Sequence, residues 1–277
     1  MKVWTVIDIL KWTINFFEKK GIENPRFETE YILSHSLNLN RLDLYLKYDM
    51  PLSVAERDKI KKTILRRLNK EPLQYIFNRV NFFGYNLYVD ENVLIPRPET
   101  EYLVDRIINE NRDINSILEI GTGSGAIAIA LKKSFPQSNV IATDISDNVL
   151  SIAKQNAANN EVKIDFIKSD IYENVTNNFD IIVSNPPYIS AAEYETLDKE
   201  VKKYEPEIAL KAPENGLYYY KSILNSAKKY LKQGGKVYFE IGYKQAEEIK
   251  EYALTKGFQK IEIDKDLNEY DRYMKIQ

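Results

Sequence analysis

From residue 116 onward, short β-branched runs alternate with helical stretches, the texture of a sheet whose strands are joined by crossover helices. Five runs stand out, at 116–120, 139–143, 162–167, 180–184 and 236–241, the last following Gly234-Gly235. Segments 261–263 and 272–276 add an expected final pair at the sheet edge. The first seventy residues differ: Ile7, Leu10, Ile14 and Phe17 recur at a helical period, as do Ile60, Ile64 and Leu68. Ser53 and Glu56 form a capping box at the start of that later helix. Glu71-Pro72 breaks the pattern. The aromatic stretch from Tyr75 through Phe83-Gly84 to Val89 predicts a β-hairpin linking two domains. The expected organisation is a helical domain over 1–72, a hairpin linker over 73–92 and an α/β domain over 93–277, with no internal repeat.

Composition removes several chemistries. The 277 residues include no cysteine and a single histidine, His35, so disulfides, thiolate metal sites and imidazole clusters are excluded. His35 lies in a helical stretch and reads as a packed or capping residue. A net charge of −2, with both signs interspersed, leaves no overall footprint for nucleic acid. No stretch approaches the roughly 20 apolar residues a membrane helix needs. The amino-terminal segment is interrupted by Lys11, Asn15 and Glu18-Lys19-Lys20, so it reads as a helix rather than a leader. The expectation is a cytoplasmic, monomeric protein.

In an open α/β sheet, ligands bind at the carboxyl ends of the strands near the topological switch point. Four strand ends carry a plausible ligand group. The first run leads into Glu119-Ile120-Gly121-Thr122-Gly123-Ser124-Gly125-Ala126, where glycines let backbone amides approach a ligand at a helix start. Gly121, Gly123 and Ala126 also fit a dinucleotide fingerprint. Asp144, 23 positions after Gly121, can accept from both hydroxyls of an adenosine ribose. NAD and S-adenosylmethionine are equally served by these two features. Asp170 follows the third run and can take an exocyclic adenine amine while Ile171 covers the ring; a helix N-cap is the plain alternative for Asp170.

The fourth strand end decides between them. Asn185-Pro186-Pro187-Tyr188 directly follows an apolar run. Two prolines lack backbone N–H groups and fix φ, so the turn holds its carbonyls rigidly outside any helix. The Asn185 side-chain oxygen and the Pro186 carbonyl can both accept from one planar NH₂ group, with Tyr188 offering an aromatic face to its flat substituent. A Pro-rich turn alone means little, but a fourth strand counted from a glycine loop gives it meaning. A sulfonium methyl donor is already activated, so alignment and water exclusion suffice, with no dedicated base.

These residues resemble the protein-(glutamine-N5) methyltransferases that modify peptide-chain release factors. Gly121 to Gly125 and Asn185 to Tyr188 are shared with adenine-N6 and guanine-N2 methyltransferases. The more specific likeness lies in Glu71-Pro72-Leu73-Gln74-Tyr75-Ile76, in Val93-Leu94-Ile95-Pro96-Arg97-Pro98-Glu99-Thr100-Glu101, in Tyr204-Glu205-Pro206-Glu207-Ile208-Ala209-Leu210 and in Glu240-Ile241-Gly242-Tyr243 with Gln245. The resemblance implies a Rossmann-like seven-stranded class I methyltransferase sheet, preceded by a small helical domain that helps dock the release factor. It implies S-adenosylmethionine held by Glu119, Gly121, Thr122, Gly123, Ser124, Gly125, Asp144, Asp170, Ile171 and Asn185. The acceptor, the glutamine of a Gly-Gly-Gln loop, would then be held by Asn185, Pro186, Pro187 and Tyr188, with Asn185, Pro186 and Tyr188 as the catalytic set. Two positions depart from the family pattern: Ile171, where an aromatic is common, and Glu269, where a glycine is usual. Pro96 to Glu99 are expected to shape the substrate entrance.

Other substrates keep the same chemistry. A ribosomal-protein glutamine uses the same NH₂ clamp, and a nucleic-acid amino group would need its base flipped out. Near-neutral charge disfavours the latter, since phosphate contacts normally dominate nucleic-acid affinity. A NAD-binding oxidoreductase or an inactive nucleotide-binding module leaves Asn185 to Tyr188 unexplained.

Overall fold

In the computed structural model, residues 3–277 are described, and they form two compact units that part between Phe77 and Asn78. The first unit is helical: α1 Val6–Lys19, α2 Pro25–Leu37, α3 Asp43–Leu46, α4 Val54–Leu68 and α5 Leu73–Phe77. Val6, Leu10 and Phe17 of α1 meet Ile32 and Leu33 of α2 and Ile60 and Ile64 of α4 in one apolar core. The Ser53–Glu56 capping box starts α4 as expected. Helix α2 is unusual in burying two carboxylates, Glu28 and Glu30. Glu28 receives Arg67 Nε at 2.7 Å and Nη2 at 2.8 Å. Burial alone would raise the Glu30 pKa, but hydrogen bonds from Tyr45, Arg26 and Arg41 hold it below the ordinary value. His35 is packed, its ring stacked 4.1 Å from that of Tyr31.

Residues 75–77, expected to open the hairpin, are instead the end of α5, because the Pro72 carbonyl accepts from the amides of Tyr75 and Ile76 and closes a helical turn. The hairpin itself is β1 Val80–Phe82 and β2 Tyr85–Leu87, which pair antiparallel within the second unit. Its two-residue turn places Phe83 at φ 50° and Gly84 at φ 81°, both left-handed, the twist that matches a tight hairpin.

The second unit continues as α6 Pro98–Glu110, β3 Ser116–Ile120, α7 Ala126–Ser134, β4 Asn139–Asp144, α8 Asp147–Asn159, β5 Asp165–Lys168 and β6 Phe179–Ser184. Two short helices follow, α9 Ala191–Thr196 and α10 Lys199–Tyr204. The unit then runs through α11 Tyr218–Tyr230, β7 Leu231–Glu240, α12 Ala246–Thr255, β8 Ile261–Lys265 and β9 Asp271–Ile276. The sheet order is β5-β4-β3-β6-β7-β9-β8, seven strands, parallel except for β9. The expected seven-stranded α/β architecture is therefore present.

One expectation shifts. The run at 162–167 yields a strand only from Asp165, because α8 ends in a Schellman motif. Glu161 sits at φ 55°, its amide donates to Ala158 O, and the Val162 amide donates to Ala157 O, so Val162 is spent closing the helix. The final strand pair stands at the sheet edge as expected, with β9 placed between β7 and β8. The sheet core is apolar, with Leu118, Ile182, Val237, Phe239 and Met274 packed against Tyr220, Ile223 and Leu224 of α11. Strand order reverses between β3 and β6, so their carboxyl ends open a crevice at the switch point.

Candidate functional site

That crevice contains a cavity of about 500 Å³, the size of a small-molecule site. Its wall brings together Glu119, Gly121, Thr122, Gly123, Ser124, Asp144, Asp170, Ile171, Asn185, Pro186 and Pro187. Two expected residues stand outside it. Gly125, at φ 84°, is spent as the N-cap of α7. Tyr188 leans on the sheet core, so the expected stacking face is turned partly inward, and burial pushes its phenol up to about 12.

The glycine loop differs in detail from the sequence expectation. Its amides mostly point into the protein. Gly121 and Thr122 both donate to Thr143 O at 2.9 Å, Gly123 donates to Asp144 Oδ2 at 3.1 Å, and Gly125 donates to Thr122 O at 2.9 Å. Glu119 is 1% exposed, and its Oε2 accepts from Thr122 Oγ1 at 2.6 Å and from the Ala128 amide at 3.1 Å. Burial, opposed by those two bonds and aided by nearby Asp144, lifts its pKa to about 8. Thus the first turn of α7, where a dinucleotide pyrophosphate would need free amides, is already served by a side chain. The glycines still matter to the cavity. A Cβ built on Gly121 or Gly123 meets nothing within 4 Å, so these positions border open space, and their φ values of 75° and 55° suit glycine.

Asp144 ends β4 with its oxygens oriented by Gly123 N and by Ser146 N at 3.2 Å, and burial raises its pKa despite those bonds. Asp170 heads no helix: residues 171–174 form a turn, in which Asp170 O accepts from Glu173 N, so the N-cap alternative falls and Asp170 lines the cavity wall. Ile171 has φ 50°, a left-handed conformation that is costly for a β-branched residue. The turn is pinned by Ser169 Oγ, which donates to Ile171 O at 3.2 Å and accepts from Asn174 N at 3.1 Å. Strain held this firmly beside a cavity is where a ligand contact is expected. Tyr219 of α11 also lines this end, its hydroxyl pKa raised by burial and then by Asp170.

At the other end, the loop after β6 is fixed on both sides. Asn185 Nδ2 donates to Thr100 Oγ1 at 3.2 Å, and Thr100 Oγ1 donates to Glu240 Oε2 at 2.6 Å. Beyond Tyr188, Gln245 Nε2 donates to Tyr188 O at 2.9 Å and to Asn215 O at 3.1 Å. The rim is tied by Arg97, whose Nη2 reaches both Glu205 oxygens at 2.6 and 2.7 Å. Nothing local in the sequence marks Thr100, Glu240, Gln245 or Tyr219 for these positions. Glu240 and Gln245 flank one short connection, while Thr100 comes from α6 and Tyr219 from α11, and only the folded sheet brings them together. Among the described residues there is no cluster of ligating side chains for a metal, and no helix long and apolar enough to cross a membrane.

The cavity fits S-adenosylmethionine better than a dinucleotide. It pairs a glycine-bordered floor with an acidic residue at the end of β4 and a polar clamp at the end of β6, and it leaves no row of free amides for phosphates. Comparison with known proteins points the same way. The family model described as PrmC N-terminal domain matches residues 8–77, and that described as methyltransferase small domain matches residues 98–203. A release factor glutamine methyltransferase of Chlorobaculum tepidum is 41% identical over 285 residues, covering 98% of this chain and 96% of the relative. One of Lactococcus lactis is 41% identical over 259 residues, covering 92% and 95%. Among solved structures, a methyltransferase from Pyrococcus furiosus shares the fold with a TM-score of 0.54 at 21% identity, over 78% of this chain and 98% of that one.

Proposed function

This chain belongs to the release factor glutamine methyltransferase family, and from that premise we propose that it methylates the side-chain amide nitrogen of the glutamine in the Gly-Gly-Gln loop of peptide-chain release factors. The cofactor, S-adenosylmethionine, supplies the activated methyl group when bound. The observation that best supports the assignment of roles is the orientation of Asn185: its Nδ2 is engaged by Thr100, so its Oδ1 is the end left to accept from an incoming NH₂.

Asn185 Oδ1 and the Pro186 carbonyl hold the two N–H bonds of the acceptor amide. That fixes the direction of its nitrogen and favours the positive charge that grows there as its bond to the methyl carbon forms and the carbon–sulfur bond of the sulfonium breaks, after which one N–H proton leaves to water. An amide nitrogen is a poor nucleophile because its lone pair is delocalised, so orientation and charge stabilisation count for more than a base. Asp144 is set to accept from ribose hydroxyls, and Gly121 to Ser124 with Asp170, Ile171 and Asn185 form the rest of the cofactor wall. Pro186, Pro187 and Ile171 present apolar surface that keeps water from the reacting atoms.

The test is transfer of labelled methyl from S-adenosylmethionine to a purified release factor, its loop Gln→Ala variant, a ribosomal protein and duplex DNA, with wild-type enzyme and Asn185→Ala. Label is expected on the intact release factor alone, with Asn185→Ala reduced at least about 100-fold, the scale of losing one oriented polar contact in a transition state. Label on the ribosomal protein or DNA in place of the release factor overturns the substrate.

A further inference from the structure

We propose that Thr100 and Glu240 act together as a positioning pair that decides which end of the Asn185 amide faces the acceptor. The proposal rests on the methyl-transfer reading above. It starts from a count of protons. A threonine hydroxyl has one hydrogen to give. In this site that hydrogen goes to Glu240 Oε2 at 2.6 Å, so Thr100 Oγ1 retains only lone pairs. Its other neighbour must therefore donate, and Asn185 offers its Nδ2 at 3.2 Å, from where the same amide also hydrogen-bonds the Glu240 carboxylate, so the two members of the pair hold Nδ2 together. Because the amide is planar with nitrogen and oxygen at opposite corners, seating Nδ2 on Thr100 sends Oδ1 the other way. Reversed, Asn185 would present N–H to an acceptor NH₂, donor against donor.

The pair is assembled from distant segments. Thr100 is in the first turn of α6, Glu240 is the last residue of β7, and Asn185 follows β6. Thr100 is 5% exposed and Glu240 2%, so a carboxyl has been taken out of water at this point, a costly placement unless it is used. The groups facing Glu240 are Thr100 and Glu99 from α6, Asn185 and Tyr188 from the loop, Arg272 and Tyr273 from β9, and Tyr220 from α11, whose hydroxyl donates to Glu240 O at 3.1 Å. Burial, countered by Thr100 and then Arg272, leaves the carboxyl titrating at about 7. Once protonated, Glu240 can donate to Thr100 Oγ1. The threonine proton is then free to turn to Asn185, and the amide loses its reason to keep Nδ2 inward. Methyl transfer should fall as pH drops through that range, with the cofactor still bound.

The experiment compares wild type, Thr100→Val, Thr100→Ser and Glu240→Gln in full-length enzyme, measuring kcat and KM for a release factor, Kd for S-adenosylmethionine, and kcat between pH 6 and 9. Thr100→Val is expected to lower kcat at least tenfold with Kd and KM changed less than threefold. Thr100→Ser should restore kcat to within threefold of wild type. The acid limb of the wild-type profile should flatten in Glu240→Gln. If Thr100→Val fails to fold, Thr100→Ser and the Glu240→Gln profile decide the matter. Wild-type kcat in Thr100→Val, equal losses in the valine and serine variants, or an unchanged acid limb in Glu240→Gln each overturns the pair while leaving the enzyme's assignment intact. A wild-type enzyme that binds cofactor but methylates no release factor overturns the assignment itself, and the pair with it.

Discussion

Gly216 is the position where a single methyl group should do the most damage. It sits at φ 88° directly after Glu214 and Asn215, at φ 53° and 54°, so three successive residues hold left-handed conformations. A Cβ there would overlap the Tyr188 carbonyl oxygen and Gln245 Nε2, well inside 3.0 Å, and both are partners in the hydrogen bond that closes the far end of the Asn185 to Tyr188 loop. Two costs add in Gly216→Ala. The left-handed backbone costs an L-residue about 1–2 kcal/mol. Forcing the Tyr188 carbonyl away from buried Gln245 strands polar groups at about 1–3 kcal/mol. The expected loss is about 2–5 kcal/mol, a large share of a typical domain's stability. Gly84→Ala is the control: it has φ 81° but nothing within 4 Å of its Cβ, so it should show the first cost alone. Urea unfolding midpoints at equal slope give both differences, and kcat for release factor methylation shows whether the loop has moved. If Gly216→Ala were no worse than Gly84→Ala to within about 0.5 kcal/mol, the contact argument would be wrong.

Two further outcomes follow from buried charge. The Glu119 carboxyl has its pKa raised from an ordinary 4.5 to about 8, so the fold favours its neutral form, and the stability this contributes below pH 4.5 is lost as pH rises toward 8. Glu119→Gln keeps the neutral form throughout, so its stability relative to wild type should improve by at least about 1 kcal/mol between pH 5 and pH 8 in urea unfolding; a constant or declining difference would count against the buried carboxyl. In the helical unit, Arg67→Met leaves Glu28 without its bidentate partner and should cost about 3 kcal/mol in the full chain, and adding Glu28→Leu should recover most of it. Additive losses in the double variant would show that the pair is not what these residues contribute.

Much of the site was readable because strand runs and the residues that end them are local. Glu119, Asp144, Asp170 and Asn185 each stand at or just past the end of an apolar run, and the sheet order brings them to one cavity. What was not readable depended on partners far away in the chain. Thr100 and Glu240 are separated by 140 residues and meet only because α6 packs over β7. Val162 looks like strand until α8 claims its amide, and Tyr75 to Phe77 look like strand until Pro72 closes a helical turn on them. The loop at Gly121 to Gly125 has the composition of a phosphate cradle, but its amides are satisfied by Thr143, Asp144 and Thr122, which no spacing rule reveals. In α2, buried Glu28 and Glu30 blur the apolar stripe that sequence periodicity relies on.

The position of β9 ties the far edge of the sheet to the site. Strand β7 pairs with β6 on one side and with β9 on the other, Tyr273 lies opposite Glu240, and the Ile241 amide donates to Arg272 O. All parallel strands and every cavity-lining residue precede residue 271. Without β9, β7 would have an open edge and Glu240 would have neither Arg272 nor Tyr273 beside it. The wall behind Asn185 is thus completed by the one antiparallel strand, so a change that loosens β9 reaches the Asn-Pro-Pro-Tyr turn through Glu240 although no residue of β9 lines the cavity.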